Sequence, residues 1–111
     1  ERWTLLLTQS EITLSYPVAV AVATGSSGIP LADSLTAYLH GVAANLVSAG
    51  VRLIPLGQTS GQRILAQLQR AVAESAENNA VQSLEDLGSS APMIDWTSAR
   101  HETQYTRLFR S

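Results

Sequence analysis

From residue 31 onward the chain alternates apolar and polar positions at a helical period. Leu31, Leu35, Leu39, Val42, Leu46 and Leu53 fall close to one face and predict an amphipathic helix from Pro30 to about Leu53 or Ile54. Pro30 suits a first turn, where its missing N–H costs nothing, and Asp33 complements the helix dipole there. A second stripe is small: Ala37, Gly41, Ala44 and Ser48 leave no bulk between backbones, so a neighbouring helix can approach closely. One greasy stripe and one small stripe predict neighbours on two sides. This helix is therefore expected at the centre of a bundle, with Leu46 inside. Pro55 stops it, because the residue before a proline is pushed out of the helical region.

Gly57 supplies freedom for the turn that follows. Thr59 and Gln62 have capping-box spacing, which predicts that the next helix starts there and runs to Asn78–Asn79. Its inner face is predicted at Ile64, Leu65, Leu68, Val72 and Ala76, with Gln69, Arg70, Glu74 and Glu77 in solvent. Upstream, Val18 to Ala23 alternates Val and Ala, a pattern that fits a buried strand or a buried helix. Pro17 as a first-turn residue and the helices elsewhere favour helix, closed by a loop at Gly25–Gly28. Glu1 to Leu14 is ambiguous, with Trp3, Leu6 and Leu7 on a helical face against Thr4, Thr8, Ile12 and Thr13. Glu1 to Thr8 reads as a helix cut in its middle. Downstream, Ser83 can cap a one-turn helix closed by Gly88. Asp95 can cap a last helix reaching Arg107, too poor in apolar residues to hold itself down. The expected fold is an all-α helical bundle, with residues 89–111 as a flexible tail.

Composition narrows the function. Among 111 residues, 45% are hydrophobic and 14% charged, which is enough for one domain or a piece of one. The thin charge implies that part of the surface is covered by another protein. A net charge of -2 gives no reason to expect nucleic acid. With no cysteine, disulfides, thiolate metal sites and cysteine nucleophiles are excluded. No apolar run is long enough to span a bilayer. Residues 57–63 (GQTSGQR) carry the glycines of a phosphate loop without its lysine. His101-Glu102 begins like a zinc-protease helix, but Tyr105 stands where the second histidine is needed. His40 reads as a packed or half-exposed helix residue rather than a ligand. A small hydrolase using His101 would need an acid and a hydroxyl joined to it in one pocket, and no such constellation is visible locally. The chain offers no catalytic residue, metal site or cofactor site, and it reads as a non-enzyme.

The C-terminal stretch is richer. Arg100, Arg107 and Arg110 alternate with Tyr105, Leu108 and Phe109. Arginine and aromatic side chains are the commonest binding anchors, so a segment that folds onto a partner's carboxylates stands against a merely solvated end. Residues 98–111 (SARHETQYTRLFRS) and 52–63 (RLIPLGQTSGQR) resemble the UreF family of urease accessory proteins, and so do residues 16–23 (YPVAVAVA) and 28–39 (GIPLADSLTAYL).

The resemblance implies the C-terminal half of a larger all-helical protein, with its N-terminal helices absent. It implies a cytoplasmic adaptor or chaperone in nickel-dependent maturation of urease. Such a protein bridges UreD (UreH in some systems) and the GTPase UreG, modulates the GTPase, and delivers to apo-urease; a homodimer is also implied. Nickel and GTP would be held mainly by partners. Arg100, Arg107 and Arg110 would make charge-assisted contacts, Tyr105 and Phe109 would anchor, and His101, Glu102 and Leu108 belong to the same partner-binding motif. Gly57 and Gln58 would shape the loop of the second block. The other reading of the residues is a generic helical interaction module unrelated to urease.

Overall fold

A computed structural model of the chain describes residues 14–88, 91–101 and 103–105. Among the described residues every regular element is helical: α1 (Tyr16–Ser26), α2 (Leu31–Leu53), α3 (Gln58–Ala80), a 3-10 turn (Leu84–Asp86) and α4 (Pro92–His101). The fold is all-α, as the periodicity predicts. The chain divides into two compact units, one ending at Val81 and one beginning at Gln82. The expectations placed on Glu1 to Thr13 lie outside the described residues.

The prolines set the boundaries of the first unit. Pro17 lies in the first turn of α1, and the Val–Ala run is helical. Pro30 occupies the N-cap of α2 in an extended conformation. Ile54, immediately before Pro55, leaves the helical region at φ -115°, ψ 142°, and ends α2. Gly28 closes α1. It is the one residue with positive φ among those described, at 73°. Its N–H donates to the Gly25 carbonyl at 3.2 Å, and the Ile29 N–H donates to the Thr24 carbonyl at 3.0 Å. These two bonds form a Schellman cap, which requires a left-handed residue at Gly28. Gly28→Ala is therefore expected to cost about 1–2 kcal/mol. Gly25→Ala, next to open space, should not destabilise. Thermal melts of the two variants check the pair.

The turn into α3 differs from the capping-box expectation. The helix begins at Gln58 with Gly57 at its N-cap and no side-chain cap. The Gly57 carbonyl accepts from the N–H groups of Ser60 and Gly61 at 3.0 and 3.2 Å. Thr59 is thus already inside the first turn, too late to cap it. Gly57 itself sits at φ -70°, ψ 157°, a conformation open to any residue, so its freedom is not drawn on.

Helices α2 and α3 form an antiparallel hairpin, and α1 packs more lightly on α2. Tyr16 and Tyr38 meet across that lighter contact, with ring centroids 6.1 Å apart. Helix α2 therefore has neighbours on two sides, and the predicted apolar stripe meets them only in part: Leu35 and Leu39 are half-buried. Leu31, Val42, Leu46 and Leu53 are exposed, Leu46 by 69%. A Cβ built on Gly41 meets nothing within 4 Å, so no backbone approaches the small stripe there. The close approach occurs instead at Gly61, which is buried against Val51 and Val47. On α3 the inner stripe runs Gly61, Leu65, Leu68, Val72 and Ala76, while Ile64 is exposed. A glycine at one end of that stripe and an alanine at the other let α3 lie close to α2. This seats Val47 and Val51 inward and leaves Leu46 on a shallow outer groove with Leu39, Val42, Leu68 and Ala71.

Candidate partner-binding segment

The second unit is built from local signals. Ser83 caps the 3-10 turn reciprocally: Glu85 N–H donates to Ser83 Oγ at 3.2 Å, and Ser83 N–H donates to Asp86 Oδ2 at 2.9 Å. Ser83 Oγ also donates to Asp86 Oδ2, at 3.0 Å. The backbone bond first, and then the hydroxyl bond, hold the Asp86 carboxyl below its ordinary pKa. Leu87, not Gly88, is the C-cap of this turn.

Helix α4 starts at Pro92, where the Ala91 carbonyl accepts from Ile94 and Asp95 at 2.9 and 3.2 Å. Asp95 is therefore a first-turn acid rather than the cap, and the helix ends at His101 rather than reaching Arg107. The chain turns back at that end. Gln104 N–H donates to the His101 carbonyl at 3.2 Å, and Thr103 Oγ1 donates to the Arg100 carbonyl at 3.2 Å. These bonds satisfy carbonyls that a longer helix would have used.

The predicted anchors fall as follows. The Arg100 guanidinium stacks over the Trp96 ring, its Cζ 5.1 Å from the centroid. Such a contact at an exposed site contributes about 0.5–1 kcal/mol, enough to bias the arginine's rotamers but not to hold a helix. His101 Nδ1 lies 2.9 Å from Gln104 Oε1, a geometry that asks Nδ1 to carry the proton. Tyr105 is 99% exposed. Glu102, Arg107, Leu108, Phe109 and Arg110 lie outside the described residues. Gly57 and Gln58 belong to the first unit, at the turn between α2 and α3.

Three residues missing from the sequence-derived set share this surface. Met93 and Ile94 are each 68% exposed and Trp96 is 56% exposed. The spacing of Trp96 and Arg100, one helical turn apart, was the available signal.

Among its described residues the first unit offers clefts. An apolar cleft of about 270 Å³ lies between α1 and α2, lined by Val20, Ile29, Leu35 and Tyr38. A more polar cleft between α2 and α3 brings together Asp33, Thr36, His40 and Gln69. Among the described residues no group of three or more His, Cys, Asp or Glu side chains could hold a metal ion. No helix among them is long and apolar enough to cross a membrane.

Comparison with known proteins gives these features a context. The sequence model of the UreF family matches residues 1–69. A urease accessory protein UreF of Rhodopseudomonas palustris (strain BisB5) is 54% identical over 88% of this chain. The UreF of Bradyrhizobium diazoefficiens is 55% identical over the same share. That of Granulibacter bethesdensis is 51% identical over 99% of the chain, so its similarity extends through the C-terminal segment. The chain spans about 40% of the length of the first two relatives and 47% of the third. No solved structure matches the chain. A family-model match across more than half of the chain, on an all-helical fold, shows that this protein belongs to the UreF family of urease accessory proteins.

Proposed function

We propose that the protein is a non-enzymatic adaptor in the nickel-dependent maturation of urease. It bridges the accessory protein UreD (UreH in some systems) and the GTPase UreG, modulates that GTPase, and presents the assembly to apo-urease in the cytoplasm. The hairpin α2–α3 is the scaffold, and residues 89–111 are the segment a partner grasps. Nickel is the cargo of the assembly, carried mainly by partners, and self-association through the helical unit accompanies the role.

One observation carries this reading: about half of all positions are identical to proteins named as urease accessory factors, along nearly the whole chain. The chemistry of the C-terminal unit agrees with it. Exposed Trp96 and Tyr105, with Arg100 stacked on the Trp96 ring, are anchor-type side chains.

The test places this sequence in the matching stretch of the Rhodopseudomonas palustris relative and removes residues 101–111. Capture of purified UreD is expected to be lost while helical circular dichroism stays within a few per cent. Undiminished capture overturns the assignment of the tail. Absence of capture by the intact chimera overturns the adaptor role itself.

A further inference from the structure

The apolar stripe of α2 faces a third direction, between its two neighbours. At about 100° per residue, Leu35, Leu39, Val42, Leu46 and Leu53 fall within about 60° of one another. Helix α1 lies to one side of them, sharing a cleft with Ser34 and Tyr38, and α3 lies to the other, at Val47 and Val51. Between the two, Leu39, Val42 and Leu46 join Leu68, Ala71 and Val72 of α3 in a groove of about 230 Å³, and Ser75 is the one polar residue lining it. Leu46 and Leu53 remain 69% and 56% exposed among the described residues. A contiguous apolar surface of this kind is one that a further piece of protein covers.

We infer that the groove seats residues 1–13 of the same chain, lying as a helix along α2 with Trp3, Leu6 and Leu7 turned into it. Three observations name this occupant. The first is where the segment joins the fold. Tyr16 opens α1 and shares a cleft with Val42 and Asn45 of α2, and Val42 is also a wall of the groove. The segment therefore meets the described structure at the groove's edge. The second is length. Helix α1 runs from that point toward the start of α2, where Thr24 and Gly25 share a cleft with Leu31. The stretch of α2 from Val42 to Leu53 lies in the other direction and is about 16 Å long, while a helix over residues 1–13 spans about 20 Å. The third is chemistry. Trp3, Leu6 and Leu7 fall on one helical face, apolar against an apolar groove. The family model matching residues 1–69 also takes in the segment together with α1 and α2. A second copy of the chain would offer similar surface, but a tethered segment acts at a millimolar effective concentration and a second copy only at its concentration in solution. This inference goes beyond the adaptor reading and does not depend on it.

The chain has no cysteine, so an introduced pair reports on itself alone. In the 111-residue chain, a short bis-maleimide is expected to join Leu6→Cys and Leu46→Cys within one molecule about tenfold faster than Leu6→Cys and Arg63→Cys. Arg63 is exposed on the side of α3 turned from α2. Trp3 and Trp96 are the two tryptophans, so Trp96→Phe leaves Trp3 as the sole reporter. Its emission should lie to the blue of the urea-unfolded chain, resist acrylamide quenching, and stay so on dilution. Leu46→Lys should shift that emission to the red, whereas Val81→Lys, exposed and outside the groove, should not.

Equal crosslinking rates for the two pairs overturn the inference, and so does a Trp3 quenched as readily as in urea. A crosslink formed between chains, or shielding of Trp3 lost on dilution, would put a second copy in the groove instead. A shielded Trp3 indifferent to Leu46→Lys would put the segment elsewhere. Where Leu46→Lys melts the helices, the crosslinking rates decide. Capture of UreD enters none of these measurements, so failure here is distinguishable from failure of the adaptor role.

Discussion

Gly61→Leu is expected to open the α2–α3 hairpin, at a cost of about 3 kcal/mol, the upper end of what overpacking an interface does. The reason is one distance. A Cβ on Gly61 would lie 2.8 Å from Val51 Cγ2 and 3.6 Å from Val47 Cγ1. The first is closer than two carbons can rest, so either the valine or the helix must move. A helical valine has one strongly preferred rotamer, which makes swinging the methyl aside costly. Gly61→Ala meets the same obstacle with less bulk, and its gain in helix propensity, up to about 1 kcal/mol, offsets part of the strain. The smaller variant should therefore lose less than the larger one. Val51→Ala added to Gly61→Ala should recover stability rather than lose more, because it removes the obstructing methyl; the double-mutant cycle reads that coupling directly. Gly41→Ala is the contrasting case. Its Cβ meets nothing within 4 Å, so only the propensity gain remains and the melting temperature should rise. Thermal denaturation of these variants, followed at 222 nm, decides the matter. Equal melting temperatures for wild type and Gly61→Leu would show that the two helices do not touch at this point.

The contrast between Gly61 and Gly41 also marks the limit of what the sequence discloses. Features fixed by a few adjacent residues were legible. Pro17, Pro30 and Pro55 placed helix boundaries because a proline acts on its own turn and the residue before it, and Ser83 marked its cap because its partners are two and three residues away. The all-α class was legible because a period of 3.6 repeats over α2 and α3. The inward face of α2 was legible only in part, at Leu35 and Leu39. Periodicity finds a stripe, but which stripe meets a neighbour depends on where that neighbour can come closest. A glycine on α3, rather than the small stripe on α2, set that place. Leu46 stayed outside as a result. The same division holds for the candidate site. Arg100 and Tyr105 stand out by composition, whereas Trp96 becomes part of the surface only when the helix brings its ring beneath the arginine one turn later. The missed end of α4 has a similar origin, since Thr103 and Gln104 turn back onto carbonyls that no pattern of apolar residues marks.

Ala76→Asp should cost the hairpin the most of any single change, several kcal/mol, because it forces a charge into an enclosed apolar site. Ala76 is 4% exposed and lies on the inner stripe of α3, four residues beyond Val72. The antiparallel register that sets Gly61 against Val47 and Val51, near the end of α2, carries Ala76 toward the start of α2. Its place in the C-terminal half of α3 also sets an aspartate there against the helix dipole. Ser75→Asp is the control. The neighbouring serine is exposed, so the same charge in the same turn keeps its hydration and should change stability by only a few tenths of a kcal/mol. The pH dependence separates charge from shape. Burial raises the pKa of the introduced carboxyl in the folded state, so the unfolded state binds fewer protons at neutral pH and the penalty is fullest above that raised value. As pH falls through it, the folded form takes up a proton, the charge disappears, and the gap between Ala76→Asp and wild type should narrow. A purely steric penalty would leave the gap constant with pH. Urea denaturation of the three proteins at pH 7 and pH 4 distinguishes the two, and a variant as stable as wild type at pH 7 would mean that water reaches Ala76 and that the α2–α3 interface is open at this end.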